Sequence, residues 1–424
     1  MIARRNVILF IRYVALVSLC ALVVPETITA RPPTRSHSDP RPTWSTLGVR
    51  TLVAHRPVIW GRLAPGPHPV GFTILNRRDQ ARRDGATGIA RPVQISVWYP
   101  AANARSGDAM RFRDYFLLTA SQRTLVEPTA SEKTAAITGF TKFLTQMGAS
   151  PRATDRWLAS PVAARRDARV AKAAFPVVVI AEGSFETAYS EAILAEFVAS
   201  HGFVVATSPA PLLVEQKNAP AKSILELART QAADLSFILD QLGAEPYTDT
   251  SRVGIVAHSF GARSALLLIA TRLNAGLVSL DGGIGNRQGK DWLDGADFDF
   301  AAVQVPILHF YQDVDTTVTP DFSLIERLHR SDRTLIRVDS MFHLDFTSVG
   351  FARAAIPQLG LATPVRELYS KIALVCAITL EFLQRVTTPD HSNQLPSLEQ
   401  LPLRSPGAFL SVRRIPREPP STHR

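Results

Sequence analysis

From residue 175 to residue 384, short runs of β-branched and apolar residues alternate with longer helix-forming stretches, and this order leaves few folds open. The spacing predicts strands at 175–180, 203–207, 253–257, 276–280, 305–311 and 334–338, with helices at 190–200, 222–242, 262–271, 322–330 and 365–384. Strands joined by such crossovers run parallel, and a parallel sheet needs helices on both faces. Two earlier strands are expected at 70–75 and 93–99; the second alternates apolar and polar residues until Pro100 ends it, and the two should pair. A chain of 424 residues, 46% of them hydrophobic, is long enough for one large α/β domain with insertions.

The flanks read differently. Arg4 and Arg5 precede an apolar stretch over residues 7–24, interrupted by Arg12, Tyr13 and Ser18, and Ala30 supplies a small residue for cleavage. Residues 1–30 therefore read as a secretory signal peptide, with an uncleaved membrane anchor as the alternative. Residues 31–65 read as a linker in which Val58-Ile59-Trp60 can dock, 66–386 as the α/β domain, and 387–424 as a Pro-rich, loosely attached C-terminal tail. Within the domain, 105–170 is expected to be a helical insertion that caps the pocket. Of the two cysteines, Cys20 falls in the signal, so no internal disulfide is expected in a secreted product. The net charge of +10 is scattered. Clusters such as Arg77-Arg78, Arg82-Arg83 and Arg165-Arg166 carry no interleaved aromatics, which argues against nucleic-acid binding and for a solvated basic surface attracted to anionic membranes or envelopes.

The run Val253-Gly254-Ile255-Val256-Ala257-His258-Ser259-Phe260-Gly261 ends a predicted strand on a serine flanked by small residues and leads into a helix. This is the context of a nucleophile elbow, with Ala257 where the first glycine of G-x-S-x-G would stand. A serine hydroxyl attacks only when a base takes its proton and an acid orients that base. Candidates belong in loops at the carboxyl ends of the strands. His343, just past the strand 334–338, fits the base; His309 lies inside a strand, His329 at a helix end, and His258 adjoins the serine but is expected to point away. Two aspartates compete as the acid: Asp315, after the strand 305–311, is preferred, with Asp281, after 276–280, as the alternative and Asp313 as a turn former. The oxyanion hole needs two backbone N–H donors, assigned to Phe260 and to Ser184 in the turn Glu182-Gly183-Ser184-Phe185. No metal-ligand spacing and no phosphate-cradling glycine loop is recognisable, so neither a cofactor nor a metal is expected.

The elbow with Phe260, the segment Ala199-Ser200-His201-Gly202-Phe203-Val204-Val205-Ala206, the segment Val97-Trp98-Tyr99-Pro100 and the loop His343-Leu344-Asp345-Phe346 together resemble the α/β-hydrolase branch that contains dienelactone hydrolase-like proteins and platelet-activating-factor acetylhydrolases. The resemblance spans about residues 65–386. It implies an α/β-hydrolase fold and a serine esterase, acetylhydrolase or lipase-like, acting on small-molecule esters through an acyl-enzyme. Two departures stand out. That branch usually carries His-Gly where this chain has Glu182-Gly183. Its acetylhydrolases place the acid at the position of Asp281, whereas the dienelactone hydrolases place it at that of Asp315 and use cysteine as nucleophile. The alternative expectation is a hydrolase-fold protein that binds an apolar ligand or partner without turnover.

Overall fold

The computed structural model describes residues 56–84, 87–211, 224–272, 275–287, 289, 298–316, 318–359, 365–388 and 409–419, so the expected signal peptide and most of the linker lie outside the described residues. In chain order the strands are β1 (Val70–Arg83), β2 (Ala90–Pro100), β3 (Asp108–Arg111), β4 (Pro161–Arg166), β5 (Phe175–Ala181), β6 (Val204–Thr207), β7 (Thr248–His258), β8 (Gly276–Leu280), β9 (Ile307–Tyr311), β10 (Arg333–Val338) and β11 (Phe409–Ile415). The helices are α1 (Arg113–Leu117), α2 (Ala130–Gln146), α3 (Pro151–Leu158), α4 (Ala188–Ser200), α5 (Ile224–Gly243), α6 (Gly261–Arg272), α7 (Ser323–Glu326), α8 (Ser348–Ala355) and α9 (Val365–Thr387).

These strands form one 11-stranded sheet in the order β11, β10, β9, β8, β7, β5, β6, β2, β1, β4, β3. From β6 to β10 all neighbours are parallel, while β2 runs antiparallel to both β6 and β1. Successive residues of a strand point to opposite faces. Accordingly Val178 and Ile180 join a core with Ile193, Phe197 and Leu383 from α4 and α9, whereas Val177 and Val179 join another with Leu235 and Leu266 from α5 and α6. From β5 the chain first lays β6 on one side and then crosses to place β7 on the other. The carboxyl ends of β5 and β7 thus flank the switch point, where parallel α/β sheets hold their ligands.

The region 105–170 is not the purely helical cap expected of it. Its two ends are strands: β4 pairs parallel with β1, β3 pairs antiparallel with β4, and both extend the sheet at its edge. Between them α2 starts with a capping box, Thr129 Oγ1 accepting from the Glu132 N–H at 3.3 Å and a Glu132 carboxylate oxygen accepting from the Thr129 N–H at 2.8 Å. The helices pack beside the first turn of α4, where the Phe116 ring stacks on Tyr189 at 4.0 Å and on Phe140 at 3.9 Å. Buried Glu196 of α4 ties the whole insertion down. Its Oε1 accepts from Tyr115 Oη (2.6 Å) and the Ala164 N–H (3.2 Å), and its Oε2 from Trp60 Nε1 (2.8 Å) and the Ala163 N–H (3.0 Å).

At the N-terminal flank Ile59 and Trp60 dock as expected of that part of the linker, and Leu63 is buried with them, so the packed body begins before residue 66. The C-terminal flank brings a further correction. The expected loose tail contributes β11, which pairs antiparallel with β10 from Arg333↔Ile415 onward and is fastened by Arg333 Nη2 to the Pro416 carbonyl (2.7 Å).

Candidate active site

The residues that the sequence nominates are all delivered by carboxyl ends of neighbouring strands. β7 ends at His258, Ser259 takes a positive φ of 49°, and α6 starts at Gly261. That φ is strained for a residue with a Cβ, and it turns the chain sharply enough to leave Ser259 half-exposed between buried neighbours. The turn is pinned by the Ser259 N–H on the Leu280 carbonyl (3.2 Å) and the Gly283 N–H on the Ser259 carbonyl (2.6 Å). Gly261 has no substitute here, because a Cβ would lie 2.0 Å from the Ala181 carbonyl oxygen. Its bareness brings the elbow against the end of β5.

His343 begins a 3₁₀ turn, His343–Phe346, after β10. Its Nε2 lies 2.9 Å from Ser259 Oγ and its Nδ1 lies 2.7 Å from Asp281 Oδ2. Asp281, not the preferred Asp315, is the carboxylate on the imidazole, which reverses the expected ranking. The physical reason is local. Asp281 leaves β8 with a positive φ of 42°, its N–H held by the Phe310 carbonyl at 2.8 Å, and this aims its carboxylate along the sheet edge. The backbone of Asp315 is held in its own loop, its N–H donating to Gln312 Oε1 at 2.6 Å, and Asp315 acts on the His343 ring through its charge alone. The same Gln312 donates through Nε2 to Asp281 Oδ2 (3.2 Å), so it braces the acid while shaping the turn that carries Asp315. Sequence reasoning missed Gln312; its position one residue past β9 was the available signal.

Burial disfavours a charged His343, but the hydrogen bond and charge of Asp281, with smaller contributions from Glu186 and Asp315, outweigh it and raise its pKa above the ordinary histidine value. Such a ring is suited to accept and hold a proton. The neighbouring Asp345 is structural: it accepts the Phe342 N–H at 2.8 Å and ion-pairs with Arg353.

Phe260, with the first assigned oxyanion N–H, sits at the start of α6 directly after Ser259. Ser184 lies in the turn after β5, half-exposed and followed by Phe185 at φ 65°. That turn is closed by the Glu186 N–H on the Gly183 carbonyl (3.1 Å) and the Gly183 N–H on Glu186 Oε2 (2.7 Å). Glu182, one of the two departures from the resembled branch, is fully buried and accepts from Thr207 Oγ1 at 2.9 Å. Burial, reinforced by the charge of Glu186, pushes its pKa well above the usual carboxyl range.

Beneath this edge lies a further cluster that no motif announces. His258 packs its ring on that of His343, centroids 4.7 Å apart, with Nδ1 at 2.8 Å from Glu186 Oε1 and Nε2 at 3.2 Å from the His343 carbonyl oxygen. Glu191 of α4 joins it, and burial together with the charges of Glu182 and Glu186 pushes the Glu191 pKa well above the usual range.

No family model matches the chain, and no curated protein matches it closely enough to count as a relative. Among solved structures the fold is similar to that of a ferulic acid esterase from Streptomyces cinnamoneus, at a TM-score of 0.52 and 18% identity over 82% of this chain and 96% of that one. At that identity the likeness speaks for the fold: a mostly parallel α/β sheet, covered by helices on both faces.

Proposed function

We propose that the chain is a serine hydrolase of carboxylic esters, working through an acyl-enzyme on Ser259. The reading rests on one observation: Ser259 Oγ, the two nitrogens of His343 and Asp281 Oδ2 form a continuous hydrogen-bonded row of 2.9 and 2.7 Å. In that row His343 takes the Ser259 proton as the hydroxyl attacks the ester carbonyl, and Asp281 holds the imidazole in the tautomer that leaves Nε2 free to accept. The N–H groups of Phe260 and Ser184 receive the tetrahedral oxyanion. His343 then returns its proton to the departing alcohol, and water, deprotonated by the same ring, cleaves the acyl-enzyme.

Small-molecule esters are the substrate class. No cofactor takes part in these steps. The basic, apolar N-terminal segment favours a secreted or periplasmic enzyme, and the surplus of arginine favours peripheral contact with anionic envelopes. Hydrolysis of short p-nitrophenyl esters tests the reading: turnover by the wild type and its loss in folded Ser259→Ala support it, and undiminished turnover in Ser259→Ala overturns it.

A further inference from the structure

We infer that Glu186, Glu191 and His258 form a buried structural site for one divalent transition-metal ion of the zinc type, beneath the oxyanion turn and separate from the row on Ser259. A ring nitrogen of His258 and one carboxylate oxygen each from Glu186 and Glu191 lie within 4.8 Å of one another, and all three residues are buried. Two observations beyond the acidic cluster point to a ligand. Neither oxygen of Glu191 has a hydrogen-bond partner among the described residues, although the side chain is 1% exposed. An orphaned buried carboxylate costs several kcal/mol unless a cation or proton meets it. Secondly, His258 Nε2 faces the carbonyl oxygen of His343, an acceptor, so Nε2 donates there, and Nδ1 is the ring nitrogen directed into the cluster, 2.8 and 2.9 Å from the two Glu186 oxygens. A ligating histidine usually donates its other N–H to such a carbonyl.

Charge balance favours the ion. Among the described residues no lysine or arginine pairs with Glu186 or Glu191. Two carboxylates, a neutral imidazole and a divalent ion sum to zero and give the Glu191 carboxylate a cation to meet. The rival arrangement, an imidazolium on Glu186 beside a protonated Glu191, is also neutral but leaves Glu191 without a partner. One imidazole and two carboxylates suit zinc; calcium and magnesium prefer six or more oxygens. Glu191 also lines a small internal cavity with Leu194, Met341 and Cys376, so its carboxylate has room to swing toward bonds of about 2.0–2.2 Å. The motif was invisible in sequence because its ligands come from a turn, the helix after it and a strand end 67 residues beyond Glu191.

The test is direct. Wild type and Glu191→Gln are held with zinc chloride just below the unfolding temperature, desalted, and analysed for metal by mass spectrometry, and thermal unfolding is followed in zinc and in EDTA. The site predicts about one zinc per chain in the wild type, less than about a tenth of that in the variant, and a zinc-dependent rise in Tm of roughly 5–15 °C confined to the wild type. Glutamine is isosteric with a protonated Glu191, so a cluster that holds only protons gives no zinc, equal Tm values and the end of the proposal. If Glu191→Gln does not fold, the wild type alone decides: failure to take up zinc, or stoichiometric calcium in its place, overturns the inference. Phosphonate labelling of Ser259 on the same samples reads the esterase proposal separately.

Discussion

Replacing Asp281 by Asn should cripple turnover, and replacing Asp315 by Asn should not. Asp281 Oδ2 accepts from both His343 Nδ1 (2.7 Å) and Gln312 Nε2 (3.2 Å), so the variant must keep its remaining oxygen at that spot to preserve either bond. Even then it loses the charge that stabilises the imidazolium formed as Ser259 attacks. At separations of roughly 3–4 Å and an effective dielectric near 20, that charge is worth about 4–6 kcal/mol, or some three to four decades in kcat. An Asn that turns its amide toward Nδ1 also forces the wrong tautomer, which acts in the same direction. Asp315 acts on His343 only as one of several lesser charges, so its neutralisation should cost less than about tenfold. Initial rates on p-nitrophenyl acetate, with Tm as the control for folding, give both numbers. A larger loss in Asp315→Asn than in Asp281→Asn would refute the geometry, in which Asp281 alone of the two is hydrogen-bonded to the ring.

Other expected outcomes follow from the same contacts. Ser259→Ala and His343→Ala should each remove nearly all esterase turnover without additive loss in the double variant, while circular dichroism and Tm stay close to wild type. Gly261→Ala places a methyl 2.0 Å from the Ala181 oxygen, so it should lose about 1–3 kcal/mol of stability and much of its activity together; a stable, active variant would deny the close approach. Glu196→Gln offers one acceptor oxygen where two pairs of donors converge, leaving two buried donors facing an amide NH2, and should cost roughly 2–5 kcal/mol, read as a fall in Tm of about 4–10 °C. An unchanged Tm would mean that the insertion is not anchored there.

The strands from β5 to β10 were legible because continuous β-branched runs such as Val177-Val178-Val179-Ile180 occur where both faces of a parallel sheet are buried. β3, β4 and β11 were not, since strands at or next to the sheet edge as short and charged as Asp108–Arg111 or Pro161–Arg166 carry no such run and take their conformation from the neighbours they pair with. The helix at 190–200 was expected, but no motif singles out Glu191 or Glu196; α4 is covered by the sheet, the insertion, α8 and α9, and this burial makes its acids a cluster and an anchor. Ser259 and His343 were legible from motif and order. The choice between Asp281 and Asp315 was not, because both follow strands at the same edge; the backbone turn at Asp281 and the side chain of Gln312, neither visible in the pattern, decide which carboxylate meets the imidazole.

The claim that everything else depends on is that Ser259 is an activated nucleophile. Incubation with a fluorophosphonate followed by peptide mass spectrometry tests it without any assumption about substrate. The account predicts a single stoichiometric adduct on Ser259, lost in His343→Ala as the base is removed and lost in Ser259→Ala as the nucleophile is. An unmodified Ser259 in folded protein, or an adduct that forms equally fast in His343→Ala, would contradict it.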